Sequence, residues 1–160
     1  MRIVKDVHAP AGLARALLRI PIVVYRLGLG WVFGRRLLLL NHIGRVSGSP
    51  YRTVLEVVDC QPADDSYVVA SGWGPRAQWY LNVVSHPEVG IEVGRRAVQV
   101  TAVALSADEG AEVFVRYAER HHHVARFVLP RLLGMAVDGS TEDFRAVGRR
   151  MPFVRFVPRR

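Results

Sequence analysis

The sequence lacks most of the groups that enzymes use for covalent or metal chemistry. Cys60 is its only cysteine. That excludes a disulfide framework and a cysteine metal cluster, and it fits a reducing compartment. Cys60 follows an apolar run beside Asp59, where a thiolate is not favoured, so it reads as structural. There is no Gly-x-Ser-x-Gly elbow, which removes support for a serine hydrolase. Neither Gly-x-Gly-x-x-Gly nor a Walker loop occurs, so neither a Rossmann dinucleotide site nor an NTPase is indicated. The histidines at 121–123 are adjacent, and adjacent side chains on a helix diverge, so they cannot jointly ligate one ion. No second cluster has ligand spacing, and no metal site is expected. No uncharged run approaches the roughly 20 residues that span a bilayer. Charge recurs through the apolar opening stretch, so it does not read as a secretory signal.

Acidic residues are also in short supply. Fourteen Asp and Glu stand against 22 Lys and Arg, giving a formal net charge of +8. A balance this basic implies an anionic partner: nucleic acid, anionic lipid or a polyanionic small molecule. The charge is scattered and few aromatics interleave with it, which makes nucleic acid the weakest of the three. The chain has 160 residues and half of them are hydrophobic, which suits one globular domain over 1–160 with a sizeable core.

What is present gathers around residues 41–53, Asn-His-Ile-Gly-Arg-Val-Ser-Gly-Ser-Pro-Tyr-Arg-Thr. Apolar runs at 37–40 and 54–58 flank it and read as strands joined by a loop. Glycines let a backbone approach a ligand closely, and successive N–H groups in such turns form an anion-binding nest. Arg45 and Arg52 add fixed positive charge with bidentate geometry. Two readings stand equally on this spacing: a cradle for phosphate or carboxylate groups, and a hairpin loop with solvated arginines.

Taken in order, residues 1–10 form a loose lead-in, and 1–34 as a whole read as a helical, basic amphipathic segment. Arg15, Arg19 and Arg26 fall on one side of it, with Pro21 as a break. Such a segment packs over the core or a dimer partner, or lies on an anionic membrane surface. Residues 35–160 read as a barrel with helices. Strands are expected at 37–40, 51–60, 67–70, 89–93, 97–105 and 153–157, with a short helix at 77–85. Ser106 and Glu109 form a capping box that opens a helix running to about Arg120. Residues 121–137 lean helical with a break at Pro130, and 138–150 form a polar loop or short helix. Strands outnumber helices and follow one another directly, which argues for an antiparallel sheet or barrel rather than a doubly wound sheet. The fold class is mainly β (α+β).

Two tryptophans border these loops. Trp73 lies between Gly72 and Gly74, and Trp79 opens the following helix. Each alone fits a plug in a barrel end. Together, near the basic loop, they suit a flat ligand.

The segment Gly44-Arg45-Val46-Ser47-Gly48 through Arg52-Thr53 resembles the Gly-Arg-x-Ser/Thr-Gly loop of the deazaflavin-dependent nitroreductase family. So do Ser71-Gly72-Trp73-Gly74, then Trp79-Tyr80-Leu81-Asn82 with His86-Pro87, and the ending Met151-Pro152 to Pro158. The likeness covers about residues 27–158. It implies a flavin-reductase-like split β-barrel with flanking helices, often a homodimer. It also implies binding of coenzyme F-420, an 8-hydroxy-5-deazaflavin with a phosphodiester and a glutamate tail. By this resemblance Arg45, Ser47, Gly48, Arg52 and Thr53 would hold the anionic end. Val54, Leu55, Ala70, Ser71, Gly72 and Trp73 would line the rings, and Gln78, Trp79 and Asn82 would border them. Two departures stand out: Val46, where members often have Lys or Arg, and Val54, where many have Pro.

The activity implied is hydride transfer from the reduced coenzyme to a small or lipophilic acceptor such as a quinone, nitro compound or enone. The coenzyme carries the chemistry, so neither nucleophile nor metal is needed. Ser71 is the candidate proton donor or substrate contact. The alternatives are an enzyme that binds flavin mononucleotide (FMN) on a similar barrel, and a non-enzymatic fatty-acid or lipid binder. The expected location is the cytoplasm, peripheral to the inner face of the membrane.

Overall fold

A computed structural model describes residues 2, 3, 27, 34–72, 74–121, 135, 136 and 140–160. Eight strands and three helices lie among them: β1 (Arg2–Ile3), β2 (Leu37–Ile43), β3 (Pro50–Gln61), β4 (Ser66–Ala70), α1 (Gln78–Ser85), β5 (Glu88–Val93), β6 (Arg96–Ala104), α2 (Ala107–Arg120), β7 (Met135–Ala136), α3 (Thr141–Arg150) and β8 (Phe153–Pro158). Six strands close an antiparallel barrel in the order β2-β3-β4-β8-β6-β5. The two-residue strands β1 and β7 pair separately. They replace a loose lead-in at residues 2–3 and helix at 135–136. The rest of the helical segment expected over 1–34, and most of 121–137, lie outside the described residues.

Period-2 alternation decides what fills the barrel. Leu38 and Leu40 of β2, Leu55 and Val57 of β3, Tyr67 and Val69 of β4, and Val154 and Phe156 of β8 share one core cluster. α1 closes one end, contributing Trp79 and Val83 to the same cluster.

A second core lies on the outer wall, where α2 and α3 cover β3, β4 and β8. A bulge at Val57/Asp59 makes this possible, because the extra residue sets Val58 and Asp59 both toward the helices. There Asp59, buried, accepts from Arg116 at 2.9 Å, with Arg120 at 3.6 Å. The two helices cross at Gly110 and Gly148. A Cβ on Gly148 would sit 2.7 Å from Ala111 Cα, so only glycine permits this approach. The capping box is formed: Glu109 N–H donates to Ser106 Oγ at 3.2 Å and Ser106 N–H to Glu109 Oε2 at 2.8 Å. Cys60 is exposed, not buried structure.

Candidate functional site

The loop at 44–49 and the start of α1 meet at one rim of the barrel, and a chain of polar side chains joins them. His42 belongs to the inward face of β2, one step beyond Leu40, and is 4% exposed. Its Nε2 lies 3.2 Å from Thr53 Oγ1 on the neighbouring strand. Its Nδ1 lies 3.1 Å from Asn82 Nδ2 on α1. Asn82 Oδ1 in turn accepts from the Arg45 backbone N–H at 3.1 Å and from Arg45 Nη1 at 3.0 Å. Arg45 Nη1 also donates to Gln78 Oε1 at 3.0 Å. Five side chains from four elements thus form one network.

Desolvation lowers the His42 pKa to about 4, so the ring is neutral at physiological pH. Tyr51, opposite His42 in the β2–β3 register, stacks on it with centroids 5.9 Å apart. The same tyrosine explains Gly44: a Cβ there would lie 2.8 Å from the Tyr51 ring and 2.6 Å from Ser47 Oγ.

The loop's hydrogen bonds are partly spent on itself. Gly48, at φ +69°, donates its N–H to Gly44 O at 2.9 Å. Its amide is therefore not free for a ligand, which corrects the expectation that it donates to one. Ser47 Oγ accepts from Ser49 N–H at 3.2 Å, so its hydroxyl proton remains available. Among the described residues the N–H groups of Val46 and Ser47 have no acceptor. They form a small nest beside Arg45.

Alternation divides the residues of β3 named above. Thr53 and Leu55 belong to the inward face; Arg52 and Val54 belong to the outward one. A ligand on either face meets only half of these side chains, and both faces are reachable together only at the rim where β3 begins. Leu55 is core and lines nothing open. Thr53 and Val54 are half-buried, and Arg52 and Gln78 are exposed. Ala70 packs against the outer core, and Gly72 beyond it is half-buried.

Two expectations need correction. Ser71 is wholly buried and its hydroxyl donates to Gly74 O at 2.6 Å, with its own N–H on Pro152 O at 2.8 Å. The turn consumes its proton, so it is not the donor to an acceptor molecule. Trp79 is 6% exposed within the barrel core and meets Tyr80 edge-on at 6.0 Å. It plugs the barrel rather than stacking on a ligand. Trp73 lies outside the described residues.

The electrostatics of the rim are one-sided. Arg45 is held by amide oxygens and by no carboxylate among the described residues, so its charge is oriented rather than paired. Arg52 has no ion-pair partner among the described residues. Exposed apolar side chains flank both arginines: Ile43 at 40%, Val46 at 92% and Tyr51 at 49%. Cationic groups, free amides and apolar surface together suit an amphiphilic anion.

Comparison with known proteins points the same way. Residues 21–127 match the model of the F420H(2)-dependent quinone reductase family. A Mycobacterium tuberculosis protein, provisionally named F420H(2)-dependent quinone reductase Rv3178, is 34% identical over 93 residues, covering 57% of this chain and 76% of its own. A solved structure described as an F420-H2 dependent reductase (FDR-A) superposes with a TM-score of 0.53 at 20% identity, over 77% of this chain and 95% of that one. A pyridoxamine 5'-phosphate oxidase-related, FMN binding protein from Nostoc punctiforme shares the fold with a TM-score of 0.52 at 12% identity, over 94% of this chain and 83% of that one. The family match covers well over half of the sequence, and the relative agrees with it. The chain belongs to the F420H(2)-dependent quinone reductase family, oxidoreductases that use the reduced deazaflavin coenzyme F-420 as hydride donor to an organic acceptor.

Proposed function

We propose that the rim between residues 44–53 and α1 holds the anionic end of coenzyme F-420, and that the acceptor is a lipophilic quinone. The observation that carries this reading is the pair of arginines, Arg45 and Arg52, with no carboxylate partner among the described residues. They stand beside the Val46 and Ser47 amides, which have no acceptor among the described residues. A coenzyme with a phosphodiester and a glutamate tail is the kind of ligand that such a set accepts. When bound, the reduced deazaflavin supplies the hydride.

The chain's own residues bind and orient. Arg52 approaches the tail from the outer wall. Arg45, fixed by Asn82 and Gln78, meets it with little further loss of side-chain freedom. The hydroxyls of Ser47 and Thr53 donate. Gly72, half-buried beyond the end of β4, borders the ring system. No described helix is long and apolar enough to cross a membrane. Ile43, Val46 and Tyr51 instead give the rim an apolar edge that suits a quinone arriving from an anionic membrane surface. A solved structure of similar fold, described as a domain-swapped dimer, supports a homodimeric state, checked by sedimentation velocity.

A binding titration with reduced deazaflavin, FMN and a long-chain fatty acid tests the reading. The deazaflavin should bind saturably, and a lipophilic quinone should then oxidise it. Preferential binding of FMN or fatty acid would overturn the reading.

A further inference from the structure

The histidine at the centre of the rim network has no role in the reading above. Its hydrogen bonds fix its protonation completely. Asn82 Oδ1 accepts from two donors on Arg45, the backbone N–H at 3.1 Å and Nη1 at 3.0 Å. The amide orientation follows, so Asn82 Nδ2 must donate to His42 Nδ1 at 3.1 Å. Nδ1 is then the acceptor, and the ring proton sits on Nε2. At 3.2 Å from Thr53 Oγ1, Nε2–H has one acceptor to meet. Thr53 Oγ1 therefore receives a proton from inside the barrel and must direct its own proton elsewhere. Thr53 is half-buried at the start of β3, beside the loop.

We infer that His42 is a positioning residue for the coenzyme: by donating to Thr53 Oγ1 it turns the Thr53 hydroxyl proton outward, toward an anionic oxygen of the ligand. The inference rests on the rim being the coenzyme site. The surroundings hold the ring in this state. Burial disfavours a charged ring here. A doubly protonated ring would also face the Asn82 NH2 donor with a donor of its own. Tyr51 covers the ring from the loop side, and Thr53 and Tyr51 from β3 and Asn82 from α1 are the polar groups against it. The network makes Thr53 a donor, where an isolated threonine would as readily accept. It also ties the donor to Arg45, so one amide, Asn82, aims both groups.

Two measurements test this on the intact protein. Imidazole nitrogen NMR of the wild type should show His42 as the Nε2–H tautomer at neutral pH; the Nδ1–H tautomer would overturn the inference. Affinity for reduced deazaflavin should fall roughly tenfold in Thr53→Val, the loss expected for one hydrogen bond to a charged group. It should be kept in Thr53→Ser. His42→Phe should show a similar loss, and the double variant His42→Phe/Thr53→Val no more than Thr53→Val alone. His42→Gln, which can donate and accept in the same directions, should recover most of the affinity. Additive losses, or no recovery with Gln in a folded protein, would overturn the positioning role. If Arg52→Ala and Arg45→Ala weaken binding while the Thr53 and His42 variants do not, the site stands and this inference falls. If none of the four matters, the site itself is misplaced.

Discussion

Arginine does opposite things at two places in this molecule. On the helical flank four of them meet a carboxylate: Arg116 and Arg120 with the buried Asp59, Arg145 with Glu112 at 2.9 Å, Arg149 with Asp108 at 3.3 Å. At the rim, Arg45 meets only amide oxygens and Arg52 meets no carboxylate among the described residues. The flank uses these charges to fix packing. The rim keeps its charge unneutralised and spends neutral hydrogen bonds on aiming it. Net charge alone cannot separate these uses; the pairing pattern can.

The comparison can be broken where the flank is strongest. Asp59→Ala removes the buried acceptor shared by Arg116 and Arg120; both arginines are half-exposed, so the loss in chemical denaturation should fall short of a fully buried pair's, at roughly 2–3 kcal/mol. Deazaflavin affinity should be unchanged; a lost affinity would mean that flank and rim are coupled. Next in size is an acid effect at the rim. The His42 pKa is about 4 when folded and near 6.5 when unfolded, so the unfolded chain binds the extra proton first. This share of stability is complete above pH 6.5 and is lost as pH falls toward 4. It amounts to about 2 kcal/mol once partial solvation is allowed for. His42→Gln should flatten that part of the stability–pH curve, and an unchanged curve would contradict the buried neutral ring. Arg52→Ala should then weaken coenzyme binding about tenfold while leaving the Tm within error. The smallest effect is expected at Arg149→Ala, an exposed pair worth no more than about 0.5 kcal/mol, with no change in binding.

Much of this architecture was legible in the residues. The apolar runs at 37–40 and 67–70 marked strands because both faces of those strands are buried. Ser106 and Glu109 marked a helix start because their reciprocal bonds depend on spacing alone. The rim was legible as a basic Gly/Ser loop. Other features depend on contacts distant in sequence. His42 looks like part of the loop until its parity with Leu38 and Leu40 is followed inward, and its partner Asn82 is 40 residues away. The bulge that turns Asp59 toward α2 leaves no mark in the local pattern, since Val57, Val58 and Asp59 read as a strand end either way. Ser71 resembles a donor by residue type, yet the Gly74 carbonyl takes its proton. Period-2 alternation separates Arg52 and Val54 from Thr53 and Leu55 in the residues themselves, and the barrel keeps that division.

The most direct test is the salt dependence of deazaflavin binding in the wild type, Arg45→Ala and Arg52→Ala. The account predicts that wild-type affinity falls as salt rises, because exposed ion contacts are screened. Each substitution should weaken binding at low salt and make the fall shallower. Equal affinities and equal salt slopes in all three proteins would contradict it.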